Sequence, residues 1–370
     1  MGTKKILLLV LLMQFINSLF AQNKSLTVSN DPNRSAQYST LLSAIIAANN
    51  GDTIYVFPTA FNYGDITINK RLVLIGSGHN RNTQFTIISQ LNTVIFDTLT
   101  ETTGANVKGV SGATGSQIHG FKITNQLTVN NSKNILIKNN YIIVHHVLSL
   151  TDGCRLLDNI IIPGVCDYGN CGPERQVNVN LSNNVLISNN ILTNGILVGG
   201  SNKNSVIFQN NLVLGCTSFI NTYDIYGWNR VSNMILQNNI FAYSYPNDCI
   251  GCVFNNNLIY ANANDTIPYA NNTGTNNILS KDPLFINLPA NIFTFDYTYD
   301  YRLQALSPAN NAGTDKDEIG IYGGLYKMKS ENGVITGKPF NPQIYKMNIF
   351  NTVVPQNGTL NFEVKVKTNN

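Results

Sequence analysis

The chain has 370 residues, enough for one large domain or two ordinary ones, and it is 43% hydrophobic with only 12% charged residues and a formal charge of +4. A disordered chain needs few apolar residues and a high net charge, so that class is excluded. Lysines and arginines are scattered, with no basic run and no aromatic residues interleaved among them, so nucleic acid is not an expected partner.

In chain order, the N-terminal stretch "MGTKKILLLVLLMQFINSLFAQ" sets Lys4 and Lys5 before a short apolar core and offers Ala21 as a small residue for cleavage. Residues 1–21 are therefore expected to be a secretory signal peptide, which sends the mature chain to the periplasm, the cell surface or the medium. No other stretch is long and apolar enough to span a bilayer. Next, "QYSTLLSAIIAANNG" (37–51) has the pattern of an amphipathic helix, with Ser39 or Thr40 as its N-cap and Asn50-Gly51 as its end. It is expected to cover a first coil that begins at "DTIYVFP".

A repeat follows: "SKNILIKNNYII" (132–143), "SNNVLISNNILT" (182–193), "NKNSVIFQNNLVL" (202–214) and "VSNMILQNNIFA" (231–242). Aligned on the first Asn of each pair, the units fall at Asn139, Asn159, Asn189, Asn210, Asn238, Asn256 and Asn276, with Gly120 in the slot before them. The steps are 19, 20, 30, 21, 28, 18 and 20 residues, so the unit is about 20 residues and two units carry insertions. A second Asn stands about five residues earlier at Asn134, Asn184, Asn204 and Asn233. Within a unit, Ile135 and Ile137 alternate with Leu136 and Lys138, the period of a short strand. Such strands bury their apolar face by stacking coil on coil. The Asn pairs suit the sharp turns, since Asn tolerates the left-handed backbone region and can pair with its equivalent in the next coil. The expected fold is all-β, a parallel β-helix over residues 22–324 with an N-terminal capping helix. A C-terminal β tail over 325–370 contains the alternating "TLNFEVKVK" (359–367) and is expected to cover the last coils or lie along one edge.

All six cysteines follow the signal peptide. Cys166 and Cys171 bracket a short loop and are the expected disulfide. Cys249 and Cys252 form a C-x-x-C that lacks the βαβ setting of a redox motif.

At this point "NGDTIYVFPTAFNYGDITINKRLVLIGSG" (50–78), the "NILIKNN" repeat, and the closing "DPLF", "YRLQALSPANNAG" and "DEIGIYGG" resemble secreted right-handed parallel β-helix proteins of the pectate lyase-like superfamily. The resemblance spans about residues 37–324. It implies a right-handed helix, a polysaccharide partner, and a groove walled by inserted loops.

The insertions are "PGVCDYGNCGPERQ" (163–176) and "GCTSFINTYDIYGWNR" (215–230), which sit in neighbouring repeat intervals. Tyr168, Tyr223, Tyr226 and Trp228 offer flat faces for sugar rings. Glu174, Arg175, Asp224 and Arg230 offer acids and cations, with the arginines as base or neutraliser and the carboxylates as Ca²⁺ ligands in a lyase. A second constellation, His119, Lys138 and Asp158, occupies the slot just before the Gly/Asn position in three consecutive units and forms an outward stripe. The expected function is a monomeric, carbohydrate-active β-helix protein, first as a polysaccharide lyase on an acidic glycan. The alternative is a non-catalytic carbohydrate-binding or adhesive surface protein.

Overall fold

The computed structural model describes residues 23–80, 87–97, 112–145, 147–164, 176–179, 182–193, 196–198, 205–215, 232–246, 249–261, 265–290, 294–338, 343–349, 358–359 and 362–367. Most strands are three or four residues long and bounded by turns with positive φ, so the chain changes direction before a strand can lengthen. Stacking in register then builds two long parallel sheets. The first has eleven strands: Ser25–Val28, Thr53–Val56, Val73–Ile75, Gln117–His119, Leu136–Lys138, Arg155–Leu157, Leu186–Ser188, Val206–Gln209, Met234–Gln237, Val253–Asn255 and Thr273–Thr275. The second divides at the long strand Lys122–Val129. Its first half leads through Tyr141–Val144 and Ile160–Pro163 to Ile278–Leu279, and its second half pairs with Val147–Ser149, then Gln176–Asn178 and Ile196–Val198. Coils in this region therefore have three sides. The fold is a parallel β-helix.

The interior is two facing columns of apolar side chains. Ile118, Ile137, Leu156, Ile187, Phe208, Leu236 and Phe254 stack inside the first sheet, each fully buried. Ile142, Ile161, Leu192, Val213, Phe241 and Ile259 stack inside the second. The helix Leu41–Ala47 lies over the N-terminal end and turns Leu41, Ala44 and Ile45 inward. Thr40 is its cap, its hydroxyl accepting from Ser43 N at 3.2 Å. The first coil starts earlier than expected: Ser25–Val28 pairs with Thr53–Val56. "SLTV" was hidden in the sequence because no Asn pair follows it.

The two residues of each Asn pair have different jobs. The first sits in the left-handed region, as at Asn139 (φ 53°), Asn189 (58°), Asn210 (52°), Asn238 (56°), Asn256 (52°) and Asn276 (57°). The second points inward and hydrogen-bonds along the axis. Asn140 Nδ2 donates to Asn159 Oδ1 (3.1 Å), Asn159 to Asn190 (3.0 Å), Asn190 to Asn211 (3.0 Å), Asn211 to Asn239 (3.1 Å), Asn239 to Asn257 (2.9 Å) and Asn257 to Asn277 (3.1 Å). This corrects the sequence alignment in one coil. Asp158 (φ 54°), not Asn159, takes the turn slot, and Asn159 belongs to the inner column. In the slot five residues earlier, Ser205 (φ 58°) rather than Asn204 joins Asn134, Asn184 and Asn233; Asn204 is outside the described residues.

The turn-slot side chains face outward and hold a strap, residues 309–338, that runs back along the helix. Asn256 Nδ2 donates to Ala312 O (2.8 Å), Asn238 Nδ2 to Thr314 Oγ1 (3.0 Å), Asn189 Nδ2 to Gly323 O (2.8 Å) and Asn139 Nδ2 to Lys338 O (2.7 Å). Ile319, Ile321, Met328 and Ile335 of the strap cluster with Ile160, Ile191, Leu212, Ile240 and Leu258, which lie on the outer face of the second sheet. At Gly323 a Cβ would stand 1.8 Å from Glu318 O, so only glycine allows this bend. Farther on, Phe362–Lys367 pairs antiparallel with Gln343–Ile349 in a two-stranded sheet of its own.

Candidate functional site

The two insertions leave from the same corner. One follows Ile160–Pro163 and the other follows Leu212–Leu214, strands in one column of the second sheet. They are not in adjacent coils: the coil holding Ile191–Thr193 lies between them. At roughly 4.8 Å per coil their roots are about 10 Å apart along the axis. The loop residues Cys166, Tyr168, Cys171, Glu174, Arg175, Tyr223, Asp224, Tyr226, Trp228 and Arg230 lie outside the described residues.

The outward stripe is described, and its register corrects the expectation. His119 is opposite Lys138, and Lys138 is opposite Leu157. Asp158 is therefore one position on, in the turn. The left-handed turn nevertheless brings its carboxylate back to the stripe, where Lys138 Nζ lies 3.5 Å from Asp158 Oδ2. The slot explains why this acid stands out. In neighbouring coils the same position is an Asn that ties down the strap. Here an acid cannot donate once ionised, and Asp158 Oδ1 is buried with no hydrogen-bond partner.

Burial raises the Asp158 pKa to about 7, against the opposing pull of Lys138 and, more weakly, Lys329. His119 moves the other way. Burial, then Lys138, pushes it down to about 4, so its imidazole is neutral at physiological pH. Its Nε2 meets Gln117 Oε1 at 3.0 Å, and its Nδ1 has no partner. The acid/base array expected from three residues thus reduces to Lys138 and Asp158, with His119 as a neutral neighbour.

Above the pair is a cleft of about 380 Å³, lined on one side by Lys138 and Asp158 and on the other by residues 324–327 and Lys329 of the strap. Lys327 also pairs with Asp317. Sequence reasoning missed Lys327 and Lys329. The only signal was the alternation in "LYKMKS", and nothing nearby in sequence ties that segment to the coil of Asp158. The cleft combines a carboxyl group that changes charge near neutral pH with lysines that favour an anionic ligand. A smaller cavity of about 150 Å³ beside Tyr243, Tyr260 and Asp282 has no cation in its lining.

The loop corner and this cleft lie at opposite ends of Ile160–Pro163, a separation of about 13 Å along a four-residue strand. Among the described residues no three His, Cys, Asp or Glu side chains converge. The expected ligands Glu174 and Asp224 are outside them. Among the described residues, no helix is long and apolar enough to cross a membrane.

No family model matches the chain, and no curated protein matches it. Among solved structures, pectate lyase Pel9A is similar over 82% of this chain and 97% of its own, at 13% identity and a TM-score of 0.35. A point mutant of the PL6 family alginate lyase AlyGC is similar over 83% of this chain, at 12% identity and a TM-score of 0.27. The chain spans 59% of that structure's length. The parallel β-helix itself is carried by the strand pairing of this chain.

Proposed function

We propose that this chain is a secreted, carbohydrate-active β-helix protein that binds an acidic polysaccharide and cleaves it by β-elimination. The observation that carries the reading is the Lys138–Asp158 pair at 3.5 Å in a cleft lined by two further lysines. A uronate carboxylate entering the cleft meets Lys327 and Lys329, whose charge lowers the cost of the enolate that forms when the adjacent carbon loses its proton. Asp158, ionised above about pH 7, accepts that proton, and the electron pair expels the 4-linked sugar. Tyr168, Tyr223, Tyr226 and Trp228 on the inserted loops supply stacking faces for the chain of sugars. Arg175 and Arg230 are second candidates for base or neutraliser.

One observation favours binding without cleavage: the Asp158 side chain is only 6% exposed, deep for a group that must reach a sugar carbon. The deciding experiment is absorbance near 235 nm, where β-elimination creates an unsaturated uronyl product. The mature chain is incubated with a panel of acidic polysaccharides, with and without Ca²⁺. A rise that increases through pH 7 and disappears in Asp158→Asn and Lys138→Met supports the reading. A rise lost only in Arg175→Ala or Arg230→Ala moves the chemistry to the loops. A flat trace with retained glycan binding leaves a binding protein, and no binding to any acidic glycan overturns the proposal.

A further inference from the structure

Two thiols that the cleft does not use lie at a corner near the C-terminal end of the helix. Cys249 and Cys252 are 3% and 0% exposed and bracket the turn Ile250-Gly251 that leads into Val253–Asn255. Gly251 is left-handed at φ 65°. The chain bends at Gly251, and one side chain, the Asn272 amide, bridges the two ends of the bend from Cys252 N to Cys249 O, which holds the cysteines close enough to be compared with the span of a disulfide. The next coil pins both cysteines by their backbones. Cys252 N donates to Asn272 Oδ1 (2.9 Å), Asn272 Nδ2 donates to Cys249 O (3.0 Å), and Cys249 N donates to Tyr269 Oη (2.8 Å). The side chains meet inside this frame, and the hydrogen bond from Cys249 holds the Cys252 thiol below the ordinary range. Cys154, by contrast, contacts the Thr151 hydroxyl at 3.6 Å, and burial pushes its thiol up.

We propose that Cys249 and Cys252 close a disulfide across this turn. The oxidant is a small-molecule disulfide such as oxidised glutathione. Cys252, as thiolate, attacks one sulfur and releases one glutathione thiolate, which takes up a proton. Cys249 then gives up its proton and attacks the Cys252 sulfur of the mixed disulfide, expelling the second glutathione. Two protein thiols become one disulfide, and one glutathione disulfide becomes two thiols. Ile250 is 40% exposed while the two sulfurs beneath it are buried, so the exchange requires a local opening of this turn.

The test is mass spectrometry of the mature chain after equilibration with excess oxidised glutathione, unfolding, alkylation and digestion. The expected result is a peptide containing residues 249–252 that lacks two hydrogens and carries no alkyl group, while Cys154 is alkylated. Cys249→Ser should leave Cys252 alkylated or glutathionylated, and reductant should restore two alkylated thiols in the parent chain. The proposal fails if Cys249 and Cys252 are both alkylated at that end point. It also fails if either one is joined to a different cysteine.

Discussion

At the residue scale, the Asn pair was visible in the sequence as a turn signal, but its division of labour was not. Both residues are Asn, and only the three-dimensional turn sends one outward and the next inward. The consequence is measurable. Asn211 accepts from Asn190 N and Nδ2, both at 3.0 Å, and donates to Ile187 O and Asn239 Oδ1. Asn211→Ala orphans these buried groups, and urea denaturation should show a loss of about 3 kcal/mol. Asn210→Gly keeps the left-handed turn and loses a 3.4 Å contact to Gly320 O, so less than about 1 kcal/mol is expected. Asp158 was legible as an oddity and misplaced by one position, because aligning on Asn hides an Asp that does the turning. Its folded pKa of about 7 is above the unfolded value of 3.8. Its stabilisation is therefore complete below about pH 3.8 and is lost as pH rises through about 7, up to about 4 kcal/mol in all. Asp158→Asn should remove this pH dependence and leave the variant more stable than the parent at pH 8 by about 1–3 kcal/mol, the remainder being offset by the lost pairing with Lys138. An Asp158→Asn variant no more stable than the parent at pH 8 would contradict the argument.

At the element scale, the strap is the part that sequence could not show. Its segments look like loop, with Gly, Asn and Asp recurring along them, and its partners are 56 residues away at Asn256 and 199 away at Asn139. Its far end is held by His79, a buried side chain in an early coil. His79 Nδ1 lies 2.7 Å from Tyr297 Oη, His79 N donates to Gly337 O, and Asn80 Nδ2 donates to Ile335 O. His79 Nε2 has no partner, and burial pushes the imidazole down to about 4. The sign is opposite to that of Asp158. Stability from neutral His79 is full above about pH 6.5 and is lost as pH falls through about 4, on the order of 3 kcal/mol. His119 adds a slope in the same direction. Hydrogen exchange should therefore show residues 335–338 losing protection between pH 6.5 and 4, before the coil interior does. His79→Gln should flatten that dependence locally; an unchanged acid profile would show that the junction is held by something else.

At the scale of the whole molecule, the 20-residue period made the solenoid legible, because each unit repeats the same burial problem. What the period cannot reveal is which outer face stays dry. On the second sheet, Ile160, Ile191, Leu212, Ile240 and Leu258 face away from the core, where an isolated β-helix would put polar residues, and the strap covers them. The boundary expected at 324–325 falls within the strap, just after its Gly323-Gly324 bend. Five buried aliphatic side chains are together worth about 10 kcal/mol, comparable to the entire net stability of an ordinary domain. Two truncations test this. A chain ending at residue 342 keeps the strap and loses the pair Gln343–Ile349 and Phe362–Lys367, and it should melt within a few degrees of the full chain. A chain ending at residue 308 uncovers the five aliphatics and frees the turn-slot amides, and it should lose cooperative unfolding or aggregate. If the shorter chain melts as the full one does, the strap is an ornament on a self-sufficient coil. The cleft would then lose Lys327 and Lys329 without losing its scaffold, and that same truncated chain would show whether the strap lysines are needed to hold an acidic glycan.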